Sequence, residues 1–165
     1  MHPRVHVPIH LRWGDLDALG HVNNTSMLKL LEEARLRAFW KGDGIEPAPP
    51  TAVFEMSVLE CGGERAKLIA RQEIEYVRPL GYRRTPVLVD MWIGHLGGAS
   101  IDVCYEVHDA TPDGSAAGPG PYARAVTTLV LVDAASGAPR RIGEAERAAW
   151  LPYVEEPPAF RRRGR

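Results

Sequence analysis

This chain of 165 residues has only two cysteines, almost no excess of charge of either sign, and no long apolar run. Its two cysteines are too few for a disulfide framework, and no cysteines or histidines have the spacing of a zinc site. A formal net charge of -1 provides no excess of positive charge to attract nucleic acid or an anionic membrane. No apolar stretch reaches the roughly 20 residues of a membrane helix, and Met1–Pro8 lacks the apolar run of a signal peptide. We therefore expect a soluble cytoplasmic protein that binds neither nucleic acid nor membrane and has no metal site.

The hydrophobic pattern predicts one strand, one long helix and then four or five long strands. Apolar and polar residues alternate in Val5–Trp13, which predicts the first strand. Apolar residues recur at helical spacing from about Asn24 to Lys41, which predicts a long helix. Asn24 or Thr25 is the expected N-cap, and Gly42 is expected to end the helix. The later predicted strands are a short one at Ala52–Cys61 and long ones at Ala66–Arg78, 87–93, 101–107 and Ala123–Val132. A single helix against an antiparallel sheet is an α+β architecture.

The end of the chain divides into a strong strand pattern and a weaker tail. Ala123–Val132 is almost continuously apolar, which predicts a central strand buried on both faces. Beyond Arg140 the pattern weakens, although Gly143–Trp150 fits a short helix. We expect one domain over residues 1–142 and a C-terminal extension over 143–165 that is partly helical or disordered.

The most informative stretch is Gly14–Asn24, which places two carboxylates, a turn glycine, a histidine and two amides directly before the predicted helix. Free backbone N–H groups and the positive end of the helix dipole can polarise a carbonyl at such a site. A carboxylate beside them can attack that carbonyl or activate a water molecule that does. This arrangement suits acyl transfer.

Each polar residue of this stretch also has a plainer interpretation. Asp17 is either a catalytic base or nucleophile or a residue that closes a turn, whereas Asp15 is expected to be structural. Gly20 is expected to supply a backbone conformation that larger residues resist. For His21, a structural hydrogen bond is favoured over a proton relay. Asn23 is a candidate for orienting either Asp17 or the substrate.

Five segments of the chain carry a family resemblance: Arg12–Asn24, Leu28 with Glu32–Arg35, Glu73–Pro79, the Gly97–Ser100 turn and Leu131–Asp133. With these residues, the chain resembles the hotdog-fold acyl-CoA thioesterases, in particular the 4-hydroxybenzoyl-CoA thioesterase type. The resemblance implies a long antiparallel sheet wrapped around one central helix. It also implies a homodimer with one continuous sheet, or a homotetramer of two such dimers. The active sites then lie between protomers, and a tunnel holds the pantetheine arm of CoA.

The resemblance further implies roles for individual residues. The second aspartate of the motif, Asp17 here, is the catalytic carboxylate in the family. The backbone N–H at the start of the helix, at Asn24 here, helps to bind the thioester carbonyl. Met27 stands where the family often has a tyrosine, and it is expected to reshape the acyl pocket. The candidate substrate-binding residues are His21, Asn23, Met27, Gly98 and Ser100.

Several other residues have open alternatives. Ser100 lines the pantetheine tunnel or simply forms a turn. Glu32 and Glu33 are expected to form salt bridges at a surface or interface, although some hotdog enzymes use a helix glutamate as the catalytic acid. Arg83 and Arg84 suit CoA phosphates chemically, but a solvated loop is the favoured interpretation.

These observations predict a hydrolase that cleaves an acyl-CoA thioester to a free acid and CoA, with neither metal nor cofactor. Asp17 acts as general base or as nucleophile in this scheme. Two alternatives stay open. One is a thioesterase that acts on an acyl carrier protein in a biosynthetic pathway, and the other is a non-catalytic acyl-CoA binding module.

Overall fold

The computed structural model describes residues 3–42, 44, 46–54, 65–111 and 116–161. In chain order, its elements are β1 (Val5–Ile9), α1 (Asn24–Phe39), β2 (Arg65–Tyr76), β3 (Val87–Leu96), β4 (Ser100–Ala110), β5 (Ala116–Ala117), β6 (Ala123–Asp133) and α2 (Glu144–Trp150). The strands form one antiparallel sheet in the order β1-β3-β4-β6-β2, and the short β5 pairs with β4. The predicted α+β architecture is confirmed.

The long helix α1 contributes one face to the hydrophobic core. Its buried apolar residues recur every three or four positions, at Met27, Leu30, Leu31, Ala34 and Ala38. They share a single core with the inward positions of the strands. Each fully buried leucine contributes about 1.5–3 kcal/mol relative to an exposed one. On the opposite side of the helix, Glu33 forms the salt bridge expected of it, with Arg37 at 2.8 Å.

Two predicted boundaries are wrong by a few residues. The first strand ends at Ile9 rather than Trp13, because the chain turns through a short 3-10 helix at Trp13–Asp15. The helix ends at Phe39 rather than Lys41, since Trp40 already adopts extended backbone. The candidate strand Ala52–Cys61 falls largely outside the described residues. Within them, Phe54 makes one isolated bridge with Trp40.

The strand that is buried on both faces is β3, not β6 as the sequence pattern predicted. Along β6 buried positions alternate with half-buried ones such as Val126 and Val130. Every residue of β3 from Val87 to Ile93 is buried. The difference arises because the segment after α2 covers the outer face of β3. There the Trp92 indole donates to the Glu156 carbonyl at 2.9 Å.

The predicted short helix at Gly143–Trp150 is confirmed as α2. It packs Trp150 into the core, where its ring contacts those of Phe39 and Phe54 at centroid distances of 5.7 Å. The indole N–H of Trp150 donates to the Thr51 carbonyl at 3.0 Å, so this buried polar group is satisfied. The described residues after 142 therefore include a helix that is part of the packed structure. No described helix is long and apolar enough to span a membrane.

Candidate active site

The loop before α1 is anchored by Asp15, which is buried as its structural role predicts. Its carboxylate accepts hydrogen bonds from the Arg12 backbone N–H at 2.7 Å and from the Arg12 guanidinium at 2.9 Å. Burial by itself raises the pKa of Asp15, but these hydrogen bonds outweigh it and hold the pKa below its usual value. The Asp15 carbonyl also accepts from the Asn23 N–H at 2.8 Å, which joins the two ends of the loop.

Asp17 closes the turn with one carboxylate oxygen and leaves the other free. Its Oδ1 accepts from the backbone N–H groups of Leu19, at 2.8 Å, and of His21, at 3.3 Å. Gly20 completes the turn at φ +77°, a conformation that favours glycine, as predicted. In the described part of the chain, Oδ2 of Asp17 has no hydrogen-bond partner. The turn interpretation and the catalytic one are therefore compatible in the same side chain.

The N-cap of α1 is Asn23, which corrects the expectation of Asn24 or Thr25. Oδ1 of Asn23 accepts from the Thr25 N–H at 2.9 Å and from the Thr25 hydroxyl at 2.7 Å. Asn23 takes this position because its own backbone is extended, at φ -61° and ψ 144°. Asn24 is thus the first helical residue. Its backbone N–H has no acceptor among the described residues and stays available at the positive end of the helix.

Asp17 and Asn24 line the same cavity, which has a volume of about 350 Å³. Met27 lies at its wall and is buried. The complete lining is Asp17, Val22, Asn24, Met27, Tyr76, Val77, Arg78, Pro79, Leu80 and Tyr122. The chain after β2 is tied to the Asp17 loop, because the Val22 N–H donates to the Leu80 carbonyl at 2.7 Å.

The polar end of the cavity is built around the buried Tyr122 and the carboxylate of Asp109. The guanidinium of Arg78 lies over the Tyr122 ring, 3.5 Å from its centroid, and donates to Asp109 at 2.9 Å. Arg83 also donates to Asp109 and, at 2.5 Å, to the Tyr122 hydroxyl. The solvated-loop expectation for Arg83 is therefore wrong, whereas Arg84 is exposed. Burial raises the pKa of Asp109, but hydrogen bonds from Tyr122, Arg78 and Arg83 lower it to about 2.

Two of the predicted site residues lie elsewhere in the chain. Gly98 and Ser100 belong to the β3–β4 turn, where the Gly98 carbonyl accepts from the Ile142 N–H at 2.8 Å. Ser100 opens β4 and pairs with Val130. Neither residue lines the cavity of Asp17. The structural hydrogen bond expected for His21 is not found, since its side chain is exposed and has no hydrogen-bond partner among the described residues. Neither His21 nor Asn23 lines the cavity.

Sequence reasoning did not single out Tyr76, Arg78, Leu80 and Tyr122 as site residues, although all four line the cavity. The first three belong to or adjoin the segment Glu73–Pro79, one of the five segments behind the family resemblance. Their position in or beside that segment could have marked them as candidate site residues. No sequence feature marked Tyr122, because it precedes β6 by a single residue and lies far along the chain from Asp17.

A second, larger groove of about 700 Å³ lies between β1, α1 and the residues Gly42 and 46–49. Its charged lining includes Glu33 and Arg37, which already pair with each other. It has no helix N-terminus, since it borders the middle and end of α1. The smaller cavity is therefore the better candidate for an acyl-transfer site. Its lining residues include Asp17, which has a carboxylate oxygen without a partner among the described residues, and Asn24, whose backbone N–H lies at a helix start.

The α+β fold, with one antiparallel sheet and a long central helix, is that of the hotdog class, and comparison with known proteins identifies the family. The chain belongs to the thioesterase-like superfamily, which it matches over residues 11–160. No curated protein sequence matches it. Membership of this superfamily supports thioester hydrolysis as the general reaction.

Solved structures give the same fold. A thioesterase from Thermus thermophilus, in complex with coenzyme A and zinc, is 29% identical with a TM-score of 0.63, over 90% of this chain and 92% of its own. A thioesterase superfamily protein from Jannaschia sp. is 18% identical with a TM-score of 0.69, over 94% and 99%. A 1,4-dihydroxy-2-naphthoyl-CoA thioesterase from Synechocystis is 16% identical with a TM-score of 0.68, over 90% and 96%. The last two likenesses bear on the fold alone.

Proposed function

We propose that this protein hydrolyses acyl-CoA thioesters to a free acid and CoA. The observation that carries the proposal is the shared cavity of Asp17 and Asn24. It brings a carboxylate oxygen without a partner and a free N–H at a helix start into one small space. The Thermus thermophilus thioesterase that binds coenzyme A supports CoA as the thiol component.

In the proposed reaction, the thioester carbonyl oxygen accepts a hydrogen bond from the Asn24 N–H. The positive end of α1 stabilises the negative charge that develops on this oxygen. Oδ2 of Asp17 then removes a proton from a water molecule, whose oxygen attacks the carbonyl carbon while the CoA thiolate departs and is protonated. Alternatively, Oδ2 attacks the carbonyl carbon itself, the C–S bond breaks, and the CoA thiolate departs and is protonated. Water then hydrolyses the resulting mixed anhydride to the free acid and the Asp17 carboxylate.

We further propose that the active protein is a homodimer or homotetramer. The strand β2 lies at one edge of the sheet, and its residues Leu68 and Ile69 are 56% and 46% exposed. An exposed apolar edge strand favours pairing with another strand. Within one chain Gly98 and Ser100 lie away from Asp17, so a contribution to the pantetheine tunnel would come from a second copy.

A carrier-protein substrate is the second candidate, and one surface feature favours it. Trp13 is 75% exposed and contacts Tyr82 edge-to-face at 5.5 Å, directly beside the Asp17 loop. Arg84 is exposed on the same loop as Tyr82. An aromatic and basic surface near the Asp17 loop suits an acidic partner protein.

One experiment separates these proposals from a non-catalytic binding module. CoA release is followed with a thiol reagent across aliphatic and aromatic acyl-CoAs, beside acid release from the same acyl groups on a carrier protein. Faster turnover of acyl-CoA supports the first proposal, and faster turnover of the carrier-bound form supports the second. Calorimetric binding of acyl-CoA without turnover of either substrate would contradict both.

A further inference from the structure

The guanidinium of Arg78 is fixed in place, but not all of its N–H groups donate hydrogen bonds within the described part of the chain. Its Nε and Nη2 donate to the Gly120 carbonyl, at 3.2 and 3.0 Å, and Nη2 also reaches Asp109. The Tyr122 ring supports its face. In the described part of the chain, Nη1 has no hydrogen-bond partner. The side chain is thus preorganised, with two N–H bonds left to offer.

The charges around Arg78 do not balance locally. Arg78 and Arg83 share the single carboxylate of Asp109, which leaves one positive charge beside the cavity. Among the described residues that line the cavity, Arg78 is the one with a positive charge and Asp17 the one with a negative charge. An anionic group bound at the Arg78 end would therefore gain an ion pair while the reacting carbonyl lies at the Asp17 end.

The size of the cavity indicates which part of the substrate meets Arg78. Its 350 Å³ holds about twelve non-hydrogen atoms, if each takes roughly the 30 Å³ of a water molecule in the liquid. That is room for a short acyl group. Because Asp17 and Arg78 line the same cavity, an acyl group whose carbonyl lies at Asp17 can bring its other end to Arg78.

We infer that this site selects short acyl groups that end in a carboxylate, with Arg78 as the residue that recognises it. Nη1 of Arg78, unpaired among the described residues, can donate charge-assisted hydrogen bonds to a carboxylate, and Tyr122 and Gly120 hold the guanidinium in position. This inference rests on the proposed function for its substrate, an acyl thioester of CoA, but its test uses binding and does not require turnover.

The test compares glutaryl-CoA with pentanoyl-CoA, which have equal chain length and differ in a terminal carboxylate against a methyl group. Calorimetry measures the affinity of each for Asp17→Asn, which suppresses turnover. Glutaryl-CoA is expected to bind at least about tenfold more tightly, the effect of one charge-assisted hydrogen bond. Adding Arg78→Gln should bring the ratio of the two affinities close to one, and Arg78→Lys should retain part of it.

Arg84→Gln is the matched control, because it removes an exposed arginine from the same loop without touching the cavity. Any contact of Arg84 with CoA cancels in the ratio, which should stay unchanged. Equal affinity for the two ligands with Arg78 intact would overturn the inference, as would a preference that survives Arg78→Gln in a folded protein. A preference for glutaryl-CoA without CoA release by the wild-type protein would support the inference and contradict the proposed function.

Discussion

The hydroxyl of Tyr76 donates to the carbonyl oxygen of Asn24 at 2.8 Å, and so joins the end of β2 to the first residue of α1. This contact fixes the helix start against the strand that borders the cavity. It also orients the peptide of Asn24, whose N–H is proposed to meet the thioester carbonyl.

Tyr76→Phe should loosen this connection without removing the ring. We expect the free energy of unfolding to fall by about 1 kcal/mol, a typical contribution for one hydrogen bond, and kcat/KM to fall several-fold. Urea denaturation and steady-state kinetics measure the two effects. Tyr82→Phe is the control, since in the described residues its hydroxyl has no hydrogen bond. Equal behaviour of the two variants would argue against a role for the Tyr76 contact.

Asn24→Pro tests the backbone N–H directly. Proline is well tolerated at the first helical position, and the extended backbone of Asn23 suits a residue before proline. The variant should fold with unchanged helix content but lose about 10²–10³ in kcat, as for loss of one oxyanion donor. Asn24→Ala keeps the N–H and should stay within a few-fold of wild type. Full activity in a folded Asn24→Pro protein would show that this N–H takes no part.

Asp109 should contribute to stability in a defined pH window. Its pKa is about 2 in the folded protein against an ordinary value of 3.8, so the folded state holds the charged form more strongly. The contribution is fully present above about pH 4 and is lost as the pH falls from there towards 2. Asp109→Asn should therefore be less stable than wild type at neutral pH, and the gap should narrow in acid. The free energies of unfolding of both proteins, measured between about pH 3 and 6, give this difference in stability. A difference that does not change with pH would contradict the expectation.

The amine nitrogen of Lys67 is buried, which lowers the stability of the folded state, and replacement of the side chain should relieve this cost. Its Nζ lies 3.1 Å from the centroid of the Trp40 ring and 3.9 Å from that of Phe54, with no hydrogen-bond partner among the described residues. Burial, with a smaller effect of Arg35, lowers the pKa of Lys67 to about 6. The aromatic faces favour the ammonium form, but the loss of hydration outweighs them.

Because the unfolded amine keeps an ordinary pKa of 10.5, the folded state binds fewer protons between about pH 6 and 10.5. Stability should rise with pH across that window. Lys67→Met should therefore be more stable than wild type at pH 7, and its advantage should shrink towards pH 10. Lys29→Met, at a position of α1 outside the core, serves as the control. A pH-independent difference for Lys67→Met would contradict this account.

Local sequence patterns predicted the helices, most of the strands and the motif at Gly14–Asn24. They could not predict contacts between segments that are distant in sequence. The spacing of Met27, Leu31 and Ala34 was sufficient to predict α1, since it follows from one helix face meeting one core. The exact cap was not predicted, because Asn23 and Asn24 are chemically identical and only the backbone of Asn23 decides between them. Arg78 and Tyr122 reach the cavity through strand pairing that no short pattern encodes.

Burial was likewise only partly predictable. The apolar run of β6 indicated a strand, but whether its outer face is covered depends on where the chain after α2 passes. Trp150 shows the same limit. Its helix was predicted from the local pattern, but its place in the core depends on Phe39 and Phe54, which are remote in sequence.

The most direct test of the central claim is the rate of CoA release by wild type and Asp17→Asn on the best acyl-CoA substrate. Asp133→Asn is the matched control, because Asp133 also closes a turn through Oδ1, at 2.8 Å from the Ser136 N–H, but lies outside the cavity. We predict that Asp17→Asn stays folded and loses at least about 10³ in kcat, while Asp133→Asn keeps wild-type activity. Wild-type turnover by a folded Asp17→Asn protein would contradict the account.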